Sequence, residues 1–360
     1  LFGGCYVIAK RIKKQYQQYC ELKNIPFIYE SFNDSVLSPD DSTLFCTSGM
    51  HHYKNQLNSS TNQDFTTSTF ANIQKVLRLH DLSDISDSTH YLIFHMIGLF
   101  SFGKDPLSLQ STVDFVLGFF QYIGLDERFL EITIHPDKYK EHSHDINENW
   151  LLLYSNYPNI TVKKDSDCLW SSDNVHYDYC TEFYYHGIEI GNVVLNNGRN
   201  IDVGLGLERI VELTDDGHTY QKPNAKDILI DSIIQLDKDG IQFGHYKHGY
   251  IFKKLIVKLI EEVIKDGNSC ELMDNEQIPQ FIQDLDIYQH VYNNRRNILL
   301  MFLHNRKLNT KIYRVKDDNW WMITHNIPIQ VLRFFRNNEM QYQQYVENLM
   351  NFFHIDWIDS

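Results

Sequence analysis

Residues 201–213 read IDVGLGLERIVEL, and this stretch decides the fold because a strand turns into a helix within it. Gly204 and Gly206 lie at the junction of the two elements. Glycine lets the backbone approach a ligand or a neighbouring element more closely than any other residue does. The stretch therefore predicts a strand that ends where other groups come close to its backbone.

Apolar segments upstream of this junction predict an antiparallel sheet. Two of them, 73–79 and 91–102, flank the polar stretch HDLSDISDST, a pattern typical of two antiparallel strands joined by a long loop. Long loops between strands often carry function. The remaining strand candidates are 43–47, 129–135, 181–185 and 188–195.

Helical patterns surround these strands and dominate the end of the chain. The spacing of apolar residues predicts helices over 9–24, 111–124 and 145–156. After residue 235 the pattern changes to long helices, the clearest being IFKKLIVKLIEEVIKDG with an apolar stripe and Gly267 as a stop signal. We therefore predict an α+β domain over 1–235 and an α-helical domain over 236–360.

The composition limits the class of protein. The 360 residues carry 47 acidic and 33 basic side chains, a net charge of −14, and aromatic residues make up 14%. Residues 1–235 carry 18 basic and 31 acidic side chains against 15 and 16 in 236–360, so the second part is the better host for a polyanion. No segment is long and apolar enough to span a membrane, and six scattered cysteines favour reduced thiols. We expect a cytoplasmic protein.

Several stretches of the chain, taken in order, resemble the catalytic half of the alanyl-tRNA synthetases, a class II family. Each match is weak alone, but their order and spacing make chance a poor explanation. The stretches are LFCTSGMHHYKNQL (44–57), NIQKVLR (72–78), HYLIFHMIGLFSFGK (90–104), DCLWSSD (167–173), CTEFYY (180–185), IEIGNVV (188–194), IDVGLGLERIV (201–211) and HGYIFKKLIVKLIEEVIKDG (248–267).

The resemblance implies an enzyme that activates an amino acid with ATP and transfers it to tRNA. Negative charge grows on the α-phosphate of ATP during this reaction, so fixed cations act there through electrostatics and positioning. Arg78 matches the family's arginine on the α-phosphate, and Arg209 matches the arginine of its ATP site. His95 takes the position of a family glutamate near ATP, which places a group that titrates near neutrality there.

The resemblance also implies an amino-acid pocket beside the ATP site. Asp202 matches the aspartate that binds the α-ammonium group, which suits a charge-assisted hydrogen bond. Asn192 and Val193 match residues that line the pocket, and Trp170 matches a tryptophan that forms its wall. A tryptophan is as often part of a core, so packing remains an alternative for Trp170.

Metal chemistry is expected only through the nucleotide. Glu182 and Glu189 are candidates for holding Mg²⁺, which bridges phosphate oxygens and keeps mostly water ligands, although acidic residues on strands usually face solvent. The histidine pairs lack the further partners of a zinc site, so no zinc is expected. The chain also lacks a glycine-rich P-loop.

The chain departs from the family at positions that touch the amino-acid pocket. NVHYDY (174–179) replaces a loop of glycine, proline and cysteine, and Gly191 replaces a tryptophan beside Asn192. We expect a small amino acid as substrate, with alanine favoured. No editing domain is expected within these residues.

The acceptor of the amino acid has three interpretations. If it is tRNA, its phosphates are expected to meet Lys253, Lys254 and Lys258, although Glu261, Glu262 and Asp266 interrupt this basic face. The acceptor could instead be a carrier protein or a small molecule. A non-catalytic relative that only binds nucleotide or tRNA is the third reading.

Overall fold

The computed structural model divides the chain into two compact units, residues 1–222 and 223–360. It describes residues 3–54, 66–85, 90–135, 150–170, 178–196, 200–214, 223–242, 244–266, 280–307, 322, 327–337, 339–353 and 355. The division precedes the helix Ala225–Lys238, whereas the sequence placed it near residue 235, within that helix. The predicted boundary was placed where the apolar pattern changes to long helices. The observed boundary comes earlier because the whole helix Ala225–Lys238 belongs to the second unit.

An eight-stranded sheet forms the first unit and confirms the predicted α+β fold. The strands run in the order β1-β2-β8-β7-β6-β3-β4, with β5 beside β6. All pairs are antiparallel except β3 with β4. The strands are β1 (Ser68–Leu77), β2 (Ile93–Phe102), β3 (Leu130–Ile134), β4 (Thr161–Lys164), β5 (Leu169–Trp170), β6 (Asp178–Tyr185), β7 (Ile188–Asn196) and β8 (Asn200–Gly206).

Helices cover one face of this sheet and leave the other face for the cleft described below. In the first unit they are α1 (Gly3–Leu22), α2 (Leu109–Tyr122), α3 (Trp150–Tyr154) and α4 (Leu207–Thr214). Tyr16 of α1 and Phe119 of α2 are buried against Ile97 and Leu99 of β2. The Tyr16 hydroxyl also donates a hydrogen bond of 2.8 Å to the carbonyl of Gly98. The main core therefore lies between the helices and the central strands.

Two of the predicted elements differ from the structure. The segment 43–47 forms only an isolated bridge, between Leu37 and Phe45, instead of a strand. Its backbone serves the edge of β1 instead, because the amide of Leu77 donates to the carbonyl of Cys46 at 2.8 Å. The helix predicted over 145–156 is α3, shorter than expected, and residues 145–149 lie outside the described residues.

The described part of the second unit is helical. Leu255, Leu259, Ile260 and Val263 are buried along its longest apolar stripe, as the helical spacing predicted. Ile251, which the spacing placed in the same stripe, is half-buried, and Phe252 is buried instead. No helix of either unit, among the described residues, is long and apolar enough to cross a membrane. The helices are α5 (Ala225–Lys238), α6 (Lys247–Asp266), α7 (Gln280–Gln283), α8 (Asp286–Lys307), α9 (Ile329–Asn337) and α10 (Gln343–Phe352).

Candidate active site

A cleft opens on the sheet face opposite α1 and α2. Alternation along the strands explains it, because successive side chains point to opposite faces. The central strands β2, β8 and β7 contribute Met96, Gly204 and Asn192 to this face, and these residues line the cleft. Charged groups surround them. Those among the lining residues are Arg78, Asp81, Glu189, Glu208 and Arg209.

Close backbone approach shapes the floor of the cleft. A Cβ atom at Gly191 would lie 2.4 Å from the carbonyl oxygen of Gly204 and 2.7 Å from the Cα of Leu205. Backbone atoms cannot give way as the end of a flexible side chain can, so residue 191 must be glycine in this arrangement. The glycine that departs from the resembled family thus has a structural reason.

Arg78 follows β1 directly and reaches into the cleft from a fixed base. Its Nε donates to the carbonyl of Thr47 at 3.3 Å, and its guanidinium lies 5.2 Å from the ring centre of Phe94. Burial lowers the pKa of Arg78, while Asp81 and Glu189 oppose that shift. With the described residues Arg78 forms no ion pair. A desolvated cation without a paired carboxylate is suited to an anionic ligand.

Arg209 is fixed by the neighbouring strand. Its Nη1 donates to both the backbone carbonyl and the Oε2 of Glu189, each at 2.9 Å. Arg209 is close enough to Arg78 to add to the lowering of that residue's pKa. The structure therefore brings together the two arginines that the sequence singled out, although more than a hundred residues separate them along the chain.

His95 lies beside the cleft without being one of its lining residues. Its Nδ1 is 2.7 Å from Oε1 of Glu208, and its backbone amide donates to Oε2 of Glu208 at 2.9 Å. Glu208 does line the cleft. Sequence reasoning did not select Glu208, and its position directly before Arg209 was the available signal.

Asp202 lies on the cleft face of β8, one alternation beyond Gly204, and is not among the lining residues. Burial raises the pKa of Asp202 to about 7. No other described charged group contributes to that shift, and no described residue donates a hydrogen bond to this carboxylate. A cation that reaches this partly accessible carboxylate would stabilise its charged form and lower its pKa.

The other three predicted amino-acid contacts fall in different places. Asn192 lines the cleft, as its position opposite Gly204 in the register of β7 and β8 requires. Val193 is fully buried in the main core on the opposite face, so only its backbone could contact an amino acid from the cleft. Trp170 pairs with Asp178 through its backbone in β5, and its side chain lies outside the described residues.

The two predicted magnesium ligands have protein partners. Glu182 accepts hydrogen bonds from Thr133 and Tyr184, at 3.2 and 2.9 Å. Burial raises the pKa of Glu182, and the nearby charge of Glu189 adds to this effect. Glu189 is bound to Arg209. Among the described residues, no three acidic, histidine or cysteine side chains are grouped as a complete metal site.

The three lysines predicted to meet tRNA lie on α6 of the second unit and differ in environment. Lys254 is exposed and Lys253 is half-buried. Lys258 forms an ion pair of 2.9 Å with Glu262, which is 8% exposed. Near the start of the same helix, Tyr246 and Tyr250 are 85% and 51% exposed. The exposed cations are therefore fewer than the sequence indicated, and aromatic rings lie near them.

Comparison with known proteins gives one family match. Residues 11–213 match the family model described as tRNA synthetases class II (A). The chain is 24% identical to the alanine–tRNA ligase of Francisella philomiragia over a 390-residue alignment that covers 87% of this chain and 44% of that protein. It is 27% identical to the alanine–tRNA ligase of Ehrlichia ruminantium over 236 residues, which cover 54% of this chain and 26% of that protein.

A solved structure is also similar. It is an ATP phosphoribosyltransferase regulatory subunit/histidyl-tRNA synthetase from Bacillus halodurans, with 11% identity and a TM-score of 0.38 over 59% of this chain and 80% of that one. The chain spans less than half the length of the two ligases it matches.

Proposed function

We propose, since the chain belongs to the class II (A) tRNA synthetase family, that it activates a small amino acid with ATP and transfers it to tRNA. The observation that carries this proposal is the meeting of Arg78 and Arg209 at one cleft of the sheet. Alanine is the favoured amino acid because the curated relatives are named alanine–tRNA ligases.

The two arginines suit successive parts of ATP. Arg78 is anchored by Thr47 and Phe94 and keeps its guanidinium without a described carboxylate, so it can stabilise charge that grows on the α-phosphate. Arg209 is held at one nitrogen by Glu189, and a planar guanidinium can stack on the adenine ring. Fixed cations of this kind need little reorganisation during the reaction.

Asp202 is the proposed partner of the α-ammonium group. An ammonium that approaches it forms a charge-assisted hydrogen bond and offsets the desolvation that raises its pKa to about 7. Asn192, on the neighbouring strand and the same face, can accept or donate a further hydrogen bond. The two side chains would hold the amino acid so that its carboxylate faces the α-phosphate.

The charge of the cleft fits a nucleotide that brings a metal ion. Three carboxylates and two arginines are among its described lining residues, so the arginines alone do not balance a triphosphate. Glu182 and Glu189 would hold Mg²⁺ together with phosphate oxygens, since this ion takes one or two protein carboxylates and keeps several waters. When bound, Mg²⁺ neutralises charge on the phosphates.

The proposed acceptor, tRNA, would meet α6. Lys253 and Lys254 supply cations for phosphates, and the exposed rings of Tyr246 and Tyr250 offer surfaces on which unpaired bases can stack. The pairing of Lys258 with Glu262 weakens this interface. That observation favours the second candidate, an enzyme that forms the same adenylate but passes it to a carrier protein or small molecule.

The experiment that tests the proposal is exchange of labelled pyrophosphate into ATP, measured with each of the twenty amino acids. Exchange that depends on alanine or another small amino acid supports adenylate formation. Exchange with none of them contradicts it. Aminoacylation of tRNA by the same preparation then separates the two acceptors, because exchange without charging favours the carrier or small molecule.

A further inference from the structure

A carboxylate replaces a strand partner where β8 ends. Gly206 is the last residue of β8 and pairs with Met96 on β2. The next amide along the edge of β2, that of His95, donates to Oε2 of Glu208 at 2.9 Å. The other oxygen of this carboxylate lies 2.7 Å from His95 Nδ1. Glu208 therefore supplies the acceptor that a longer β8 would have provided from its backbone.

Two consecutive residues of α4 bind the strands on both sides of β8. Glu208 is bound to β2 through His95, and Arg209 is bound to β7 through the backbone and side chain of Glu189. The first turn of α4 is thus fixed from two directions. The place of the Arg209 guanidinium depends on the orientation of that turn, because side-chain direction follows the helix backbone.

We propose that Glu208 is a positioning residue for Arg209 and that His95 acts through Glu208 instead of touching ATP. This inference rests on the proposed function, in which Arg209 belongs to the ATP site. Glu208 lines the cleft, whereas His95 is not among the described lining residues. The carboxylate of Glu208 thus links His95, outside the cleft, to the helical turn that carries Arg209 within it.

Charged side chains of β1 and α1 lie near the pair of His95 and Glu208. Lys75 is opposite His95 in the strand register, and Lys13 of α1 lies close enough to Glu208 and Lys75 to feel both charges. Lys13 thus brings positive charge near Glu208, and Asp34 also lies close enough to act on Lys13. An acidic side chain at position 95 would bring two carboxylates together and make them repel. His95 and Glu208 are therefore matched to each other.

Steady-state pyrophosphate exchange on four variants and one control tests the proposal. Glu208→Ala should raise the KM for ATP roughly tenfold and leave the KM for the amino acid within about twofold, because it displaces a residue that binds ATP in the ground state. Glu208→Gln should recover most of the affinity, since its amide oxygen still accepts from the His95 amide. His95→Gln combined with Glu208→Ala should be no worse than Glu208→Ala alone.

Glu131→Gln is the matched control, because it also removes a carboxylate charge but breaks only the exposed pair with Lys163. It should behave as the parent protein does. A parental KM for ATP in Glu208→Ala would overturn the proposal, and so would effects of His95→Gln and Glu208→Ala that simply multiply. Thermal melting of every variant separates a displaced arginine from a failure to fold.

Amide hydrogen exchange keeps this inference distinct from the proposed function. If the parent protein shows no pyrophosphate exchange with any amino acid, the proposed function fails. Hydrogen exchange of peptides covering 93–96 and 207–210, compared between the parent and Glu208→Ala, then tests whether Glu208 fixes the first turn of α4 to β2. Faster exchange in both peptides of the variant supports the role of Glu208 in fixing α4. Unchanged exchange overturns that role.

Discussion

The cleft of the first unit and the exposed face of α6 in the second unit both carry cations, but they hold them differently. Arg78 and Arg209 are bound by backbone carbonyls and partly desolvated. On α6, Lys254 extends into solvent and Lys258 is neutralised by Glu262. Anchored cations suit a transition state whose charge appears at one place. Exposed lysines suit a polyanion whose binding depends on salt.

The largest expected effect tests whether anchoring matters in the cleft. Arg78→Ala should reduce amino-acid-dependent pyrophosphate exchange on the order of a hundredfold or more, because it removes a fixed cation from the growing charge. The melting temperature should change little. Arg128→Ala is the control, since Arg128 is exposed and pairs only locally with Asp126. A parental exchange rate in Arg78→Ala would remove this arginine from the site.

The next largest effect concerns the carboxylate of Asp202, on the cleft face of the sheet. Asp202→Asn should raise the KM for the amino acid roughly tenfold or more and leave the KM for ATP nearly unchanged, because the α-ammonium loses its charged partner. Exchange kinetics with each substrate varied in turn provide the measurement. If both KM values rise equally, Asp202 organises the whole site and the assignment to the ammonium fails.

The same substitution has a second effect, on stability, that sharpens the contrast with exposed charges. The folded pKa of Asp202, about 7, exceeds its ordinary value of 3.8, so the folded protein favours the protonated form. Stability of the ligand-free protein should therefore fall as pH rises between about 4 and 7. Asp202→Asn should remove this loss and gain on the order of 4 kcal/mol at pH 8, with little gain at pH 4.

Denaturant titrations of parent and variant at the two pH values provide the check. The parent without ligand is the reference, because a bound ammonium would restore the charged form of Asp202. Equal stabilities at pH 8 would mean that water reaches this carboxylate freely.

The smallest effects are expected on α6. Lys254→Glu should lower tRNA affinity severalfold at low salt and reduce the salt slope by roughly one unit for each lost phosphate contact. Lys258→Met should leave tRNA affinity unchanged but cost about 1–3 kcal/mol of stability, because it removes the cation that pairs at 2.9 Å with the buried carboxylate of Glu262. Filter binding at two salt concentrations and thermal melting measure the two quantities. The reverse pattern would make Lys258 the phosphate contact.

The sequence predicted the sheet well because its signals are local. The change from strand to helix around Gly204 and Gly206 is β8 followed by α4, and the apolar segments 73–79 and 91–102 are the antiparallel pair β1 and β2. The segment 43–47 looked like a strand by the same signals. Cys46 in this segment bonds through its amide to Val36 and through its carbonyl to Leu77, on two different segments, and no local pattern reveals such partners.

The site was harder to predict because its contacts join distant parts of the chain. The resemblance supplied Arg78 and Arg209. The sequence proposed Glu189 only as a Mg²⁺ ligand and did not select Glu208, so the contacts of Glu189 with Arg209 and of Glu208 with His95 became apparent only from geometry. The face of Val193 follows from alternation once Asn192 is placed on the cleft, and sequence reasoning did not apply that rule. The pair of Lys258 with Glu262 could have been predicted, since residues four apart on a helix are neighbours.

The pairing of β2 with β8 has a consequence for how the protein comes to be made. Five strands lie between these partners along the chain, so the centre of the sheet closes only after about a hundred further residues have been synthesised. A nascent chain that ends before β8 can form β1 with β2, but it leaves one edge of β2 without a partner. We expect that intermediate to be the species most prone to aggregation and the one that chaperones bind during translation.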